Sequence, residues 1–257
     1  MIDGFLAIVK KAGQVLLSAD RSLLDVREKS GSKDFVTYYD TAIQEMLRQE
    51  LLKLLPEAGF LGEESGSAAN LSEGYCFIVD PIDGTANFVH DYRHSCISVG
   101  LALNGAIIMA AVYDPYLDEL FWAEKGKGAY LNRSQITAGD RRLVNGLVLF
   151  GTSPYDKSKV NETFNLAGKL FEHALDIRRS GSAALDICYV AAGRCCLFYE
   201  LSLSPWDFAA GALILQEAGG IITAIDYADI PLDRKSSILA ANRSAFEDYK
   251  KFIANLQ

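Results

Sequence analysis

The sequence predicts an α+β protein built as a layered α-β-α-β-α sandwich, with an antiparallel sheet in its N-terminal half and a mixed α/β sheet in its C-terminal half. Three observations carry that expectation. Helix-period apolar runs open the chain, strand runs split by turn residues fill its middle, and from Leu147 onward strand and helix patterns alternate. At 257 residues and 28.1 kDa the chain is long enough to bury roughly 70% of its unfolded surface. Half its residues are apolar and 23% are charged, a globular balance that excludes a disordered or low-complexity chain.

Phe5, Ile8, Val9, Ala12 and Leu16 recur at helical spacing, and so do Ile43, Met46, Leu47, Leu51 and Leu54. Two amphipathic helices therefore occupy the first quarter, with a polar loop over 27–34 between them. The apolar run from Tyr75 reads as a strand that ends in Asp80 and Asp83, after which Gly84-Thr85 can open a helix. Over 96–131, short runs of strand formers are cut by Asn104-Gly105, Asp114-Pro115 and Gly126-Lys127-Gly128, the pattern of an antiparallel meander. The second half then reads strand 147–150, helix 161–171, a strand near Ile177, helix 183–192 and strand 195–200. Helix 208–218, stopped by Gly219-Gly220, strands 221–225 and 238–241 and a last helix from Ala245 complete it. No Pro- or Ser-rich linker and no repeat divides the chain, so one unit over 1–257 is expected, with subdomains of about 1–145 and 146–257.

Charge and cysteine usage narrow the function. With 33 acidic against 25 basic residues the net charge is -8 and the pI near 5.0, so nucleic acid and anionic membrane are not expected partners. No apolar run reaches the roughly 18 residues of a membrane span, and no signal-peptide pattern opens the chain; a cytoplasmic location is expected. The five cysteines (Cys76, Cys96, Cys188, Cys195, Cys196) form an odd set without CxxC, which speaks against a disulfide framework or a zinc site. His90 and His94 are spaced i,i+4 but lack the Glu of a zinc hydrolase, and no G-x-G-x-x-G follows a strand, so a dehydrogenase is disfavoured.

The chemistry is written most densely in Tyr75-Cys-Phe-Ile-Val-Asp80-Pro81-Ile82-Asp83-Gly84-Thr85-Ala86-Asn87-Phe88. Strand ends are where α/β proteins place ligands. Free N–H groups of Gly84 and Thr85 at a helix start would attract an anion that Asp80 and Asp83 repel, and a cation between them resolves the conflict. Oxygen-only donors favour Mg²⁺. The other reading makes both aspartates solvent-facing turn residues, with Asp83 a helix cap. Glu63-Glu64 after Gly62 reads equally as a solvated loop, and Asp207, in the first turn after Pro205-Trp206, as a cap.

These segments in combination resemble the inositol monophosphatase family of Mg²⁺-dependent, lithium-sensitive phosphatases. The resemblance rests on Asp34-Phe-Val-Thr37-Tyr-Tyr-Asp40, Gly62-Glu63-Glu64-Ser65, Asp80-Pro-Ile-Asp83-Gly-Thr85-Ala-Asn87-Phe88, Gly181-Ser182-Ala183-Ala184 and Trp206-Asp207 with its Glu217-Ala218-Gly219-Gly220 ending. It implies that Glu63, Asp80, Asp83, Asp207 and the Ile82 carbonyl hold two to three Mg²⁺, with Mn²⁺ acceptable and Li⁺ and Ca²⁺ inhibitory. Phosphate would sit on Gly84 and Thr85. Asp40 and Thr85, with Glu63, would orient and activate the attacking water. Asp83, Gly181, Ser182, Ala183, Glu200 and Asp207 would contact a small-molecule phosphomonoester, and Lys29 lies in the loop region of such enzymes.

The activity implied is hydrolysis of inositol 1-phosphate, with fructose 1,6-bisphosphate, 3′-phosphoadenosine 5′-phosphate, histidinol phosphate and NADP as alternatives, in a homodimer. The segment Leu201-Ser-Leu-Ser204-Pro205 departs from better-known members. An aspartyl-phosphate hydrolase needs DxDGT, and here Asp80 and Asp83 stand one residue too far apart. A non-catalytic homologue would have lost a ligand or the Asp40–Thr85 pair, and all are present.

Overall fold

The computed structural model describes residues 1–20, 27–28, 35–36, 38–65 and 71–254. Helices α1 (Ile2–Leu17) and α2 (Tyr38–Leu54) form where the apolar periodicity places them. Between them, β1 (Arg27–Glu28) and β2 (Phe35–Val36) pair antiparallel, so part of the stretch expected as a polar loop is paired backbone. Lys29, Asp34 and Thr37 lie outside the described residues.

Strand β3 (Gly59–Gly62) leads through a short 3-10 turn (Glu63–Ser65) to β4 (Tyr75–Asp83) and the five-residue helix α3 (Thr85–Val89). The meander follows as β5 (Cys96–Leu103), β6 (Ala106–Asp114), β7 (Glu119–Glu124), β8 (Ala129–Leu131) and β9 (Ser134–Ile136). Together these make a seven-stranded sheet ordered β3-β4-β5-β6-β7-β8-β9 among the described residues. It is antiparallel except at one edge, where β3 runs parallel to β4; the expectation of a purely antiparallel sheet missed that pair. The four residues of β3 are too few for periodicity to reveal a partner or its direction.

The second half supplies β10 (Leu147–Phe150), α4 (Val160–Phe171), β11 (Asp176–Arg178), α5 (Ala183–Ala191), β12 (Leu197–Leu203), α6 (Pro205–Glu217), β13 (Ile221–Thr223), β14 (Ser236–Ala241) and α7 (Arg243–Ala254). Its sheet runs β11-β10-β12-β14-β13, with β10 parallel to β11 and β12, and β14 antiparallel to both neighbours. This is the mixed sheet the alternating pattern predicts.

Apolar cores between the layers stack them. Phe5, Val9, Ile43 and Leu47 of α1 and α2 pack on Phe77, Val79, Val99 and Tyr113 of the first sheet. The opposite face of that sheet, through Cys96, Ala110, Val112 and Phe121, meets Leu185, Ile187, Phe208 and Leu213 of α5 and α6, which also cover Phe198 and Ile238 of the second sheet. Beyond that sheet, Val148, Tyr199 and Leu239 meet Leu170 of α4 and Phe246 and Tyr249 of α7. The order is therefore helices, sheet, helices, sheet, helices. Strands covered on both faces read as continuous apolar runs, which is why β5 is buried along all but its last residue. Helix α6 is likewise apolar all round, and its small residues let neighbours come close: a Cβ on Gly211 would meet Ile187 Cγ2 at 2.9 Å.

At the end of β4 the ladder slips. Asp80 pairs with Ser98 and Asp83 with Cys96, so three steps along β4 match two along β5. Pro81, which has no N–H to give the ladder, sits in this bulge. Among the described residues no helix is long and apolar enough to cross a membrane, and all five cysteines are buried and free. Phe208, fully buried on α6 between the two sheets, should cost about 3–5 kcal/mol on replacement by Ala in urea unfolding; a loss below about 1 kcal/mol would contradict packing on both sides.

Candidate active site

The bulge turns Asp80 and Asp83 inward, with exposures of only 2% and 8%. Gly84 then adopts φ +90°, and the chain enters α3 at Thr85. A Cβ at Gly84 would lie 3.0 Å from the His94 carbonyl oxygen and 3.2 Å from that of Gly181, so glycine serves both the left-handed turn and the close approach of two backbones. Glu63 arrives from the turn after β3, and Asp207 from the first turn of α6. Glu63, Asp80, Ile82, Asp83, Gly84, Thr85, Gly181, Ser182, Ala183, Glu200 and Asp207, eleven of the twelve residues singled out in the sequence, line one cavity of about 120 Å³.

The twelfth, Asp40, lies behind the wall. It is fully buried on α2, and the Thr85 hydroxyl stands 3.1 Å from its Oδ1 and 3.0 Å from the Ile82 carbonyl oxygen, either of which can accept the Thr85 proton. The pair read from segments 45 residues apart is thus in contact.

The fold gives each aspartate a hydrogen-bond donor. Ile82 N–H donates to Asp80 Oδ1 (3.0 Å), and Ser204 N–H donates to Asp207 Oδ2 (2.7 Å). Asp207 therefore does cap α6, as the plain reading of its position holds, while also lining the cavity. Asp83 caps a different helix from the one that follows it: its Oδ2 accepts from the Ser182 hydroxyl (2.6 Å) and Ala184 N–H (2.7 Å) at the start of α5. The expectation that Ser182 contacts substrate thus meets a hydroxyl turned to Asp83.

Burial pushes the Asp80 carboxyl well above the usual carboxylate range, and the charges of Glu63, Asp83, Asp207 and Asp40 push it further. Asp207 is raised for the same reasons, burial first and then Glu63 and Asp83. Asp83 is raised by burial against the opposing hydrogen bonds of Ser182 and Ala184. Such a set strongly favours a cation among its members, and hard oxygen donors without His or Cys suit Mg²⁺, Ca²⁺ or Mn²⁺ in kind. As they stand, no three His, Cys, Asp or Glu side chains among the described residues are arranged to enclose an ion. The partners of Asp80, Asp83 and Asp207 are protein N–H and O–H groups, each on one carboxylate oxygen.

Glu200, expected at a strand end, sits inside β12 where the ladder with β14 shifts register, and it is 7% exposed. Its Oε1 accepts from Ser153 N–H at 2.7 Å. Burial raises its pKa to about 7 against the opposing pull of that bond and of Arg179. Sequence reasoning missed two further charged lining residues, Asp186 and Arg179. Asp186 is buried on α5 and accepts from the Ser180 hydroxyl at 2.7 Å; the available signal was a single charge within Ala183-Ala-Leu-Asp-Ile-Cys-Tyr-Val-Ala191. Asn87, quoted in the motif without a role, ties His94 O (2.8 Å) and Ser180 O (3.0 Å) together beneath the cavity.

A two-sheet α/β sandwich that gathers carboxylates from the turn after β3, from β4 and from α6 at one strand end, beside a buried Asp–Thr pair, defines the class of protein. The chain matches the model of the Inositol monophosphatase family over residues 1–256 and belongs to that family. It is 38% identical over 226 residues to the Nus factor SuhB of Escherichia coli (strain K12), covering 87% of this chain and 84% of that protein. It is 39% identical over 218 residues to the inositol-1-monophosphatase of Caulobacter vibrioides, covering 84% and 85%. The crystal structure of the extragenic suppressor protein suhB from Bartonella henselae superposes with a TM-score of 0.91 at 33% identity, covering 98% of this chain and 97% of that one.

A carboxyl whose folded pKa exceeds its unfolded value stabilises the fold below the unfolded pKa, and that contribution is lost as pH rises through the folded one. For Glu200 the window runs from 4.5 to about 7, and the shift corresponds to up to about 3 kcal/mol. Urea unfolding across this range should show Glu200→Gln flattening the decline seen in the parent protein. A decline unchanged in the variant would remove Glu200 as its source.

Proposed function

We propose that this chain is a Mg²⁺-dependent phosphatase of small sugar or polyol phosphomonoesters, inositol 1-phosphate among them. The family is metal-dependent and its members are generally phosphatases, which supports the class of reaction. The observation that carries the reading is the Asp40–Thr85 contact at 3.1 Å beside the carboxylates of one cavity.

In this reading Glu63, Asp80, Asp83, Asp207 and the Ile82 carbonyl hold two to three Mg²⁺. Bound there, the ions would lower the pKa of water and neutralise charge on both sides of an in-line displacement. The remaining work falls to the chain's own groups. With its proton directed at Asp40 or the Ile82 carbonyl, the Thr85 oxygen is left as an acceptor, and a water donating to it is held in a fixed orientation. The backbone N–H groups of Gly84 and Thr85 receive the phosphate at the mouth of α3. Glu200, with a pKa raised to about 7, accepts a substrate hydroxyl, and Gly181 and Ala183 offer backbone alongside it. On the same resemblance the protein works as a homodimer in the cytoplasm.

Phosphate release from inositol 1-phosphate, fructose 1,6-bisphosphate, 3′-phosphoadenosine 5′-phosphate, histidinol phosphate and NADP, each with and without Mg²⁺ and Li⁺, tests the reading. We expect turnover only with Mg²⁺ and inhibition by Li⁺. Asp207→Asn keeps an acceptor for Ser204 N–H but removes the charge, and should lower kcat at least ~100-fold in a folded protein. Metal-independent turnover, near-normal activity in that variant, or no release from any of the five would contradict the assignment.

A further inference from the structure

We propose that Arg179 forms a second anion subsite on the cavity wall beside Gly181, so that the phosphate esters bound best carry a second phosphate besides the one removed. This rests on the phosphatase reading above and narrows its substrate class.

Among the described residues Arg179 is the one cation that lines the cavity, facing walls that hold Glu63, Asp80, Asp83, Asp186, Glu200 and Asp207. It is also unpaired. Its neighbours are each engaged with a carboxylate: Arg178 with Asp176, Arg194 with Glu119 and Arg93 with Asp91. Arg179 has no carboxylate within ion-pair distance among the described residues, and its guanidinium makes one long hydrogen bond, from Nη2 to Thr152 Oγ1 at 3.3 Å. Most of its five N–H donors, set in a planar fork that matches two phosphate oxygens, are left for a ligand.

Its guanidinium lies beside the backbone of Gly181. Gly181 holds φ +101°, and a Cβ there would lie 2.7 Å from Arg179 Nη1 and 2.9 Å from Asn87 Nδ2. The guanidinium therefore lies against the stretch whose Gly181 carbonyl approaches Gly84, one wall away from the turn that would hold the first phosphate. The charge of Arg179 reaches two nearby carboxyls, Asp186 and Glu200, and opposes the larger effect of burial on each. Asp186 already accepts the Ser180 hydroxyl and Glu200 the Ser153 N–H, and burial drives both towards their neutral forms.

Fructose 1,6-bisphosphate and fructose 1-phosphate share one phosphate and differ in the other. Calorimetry of both with Ca²⁺ present, on the full chain and on R179A, R179Q and R179K, reads the subsite as a ratio of Kd values. The parent protein should bind the bisphosphate at least ~10-fold more tightly, R179A and R179Q should bring the ratio near one, and R179K, which keeps the charge but not the fork, should fall between. A parent ratio near one, or a ratio preserved in R179A and R179Q, would overturn the proposal. Phosphate release from the same preparations with Mg²⁺ is scored separately: its absence refutes the phosphatase reading, while the binding ratio alone decides Arg179.

Discussion

Like charges gathered away from water are expensive in any protein, and here buried Asp80 and Asp83 of β4 share one cavity with half-buried Asp207 of α6 and Glu63. The surrounding fold can be understood as what makes that gathering tolerable. A bulge at Pro81 releases Asp80 and Asp83 from the ladder of the first sheet. The start of α5 brings Ser182 and Ala184 to Asp83, and the start of α6 brings Ser204 to Asp207. Both helices occupy the layer between the sheets, so the same packing that closes the core also aims two helix N-termini at the acidic cavity.

The hydrogen bonds moderate the repulsion without removing it. Burial remains the largest influence on Asp80, Asp83 and Asp207, and each is displaced towards its protonated form. A hard dication bound in such a site would exchange with protons, which would link ligation to folding stability. The Asp40–Thr85 contact gives the arrangement a direction: it leaves the Thr85 oxygen as an acceptor beside the carboxylates instead of adding another charge.

Much of the architecture could be read from residues alone because its elements bury distinctive faces. The unbroken apolar run of β5 reports a strand covered on both sides, and Phe5, Val9 and Ala12 report the face of α1. The parallel β3 could not be read, since four residues carry no directional signal. Glu200 was misplaced at a strand end because nothing in Tyr199-Glu200-Leu201 announces that β12 continues through a register shift. The carboxylates of the site were identified by family resemblance, whereas their local patterns read equally as turn residues for Asp80 and Asp83, a solvated loop for Glu63 and helix caps for Asp83 and Asp207. Asp207 does cap its helix while lining the cavity, and Asp83 caps a helix 101 residues further on, a pairing no local pattern contains. Asp186 and Arg179 escaped because one reads as a helix-start acid and the other as half of an exposed Arg-Arg pair.

The account depends on these remote acids closing around divalent ions. Thermal unfolding at rising Mg²⁺ concentration tests this without reference to any substrate. Melting temperature should climb with the logarithm of Mg²⁺ once the concentration exceeds Kd, because the ion binds the folded chain alone. A melting temperature that stays constant through the millimolar range would mean that the acids do not form a metal site, and the reading of the cavity would fall with it.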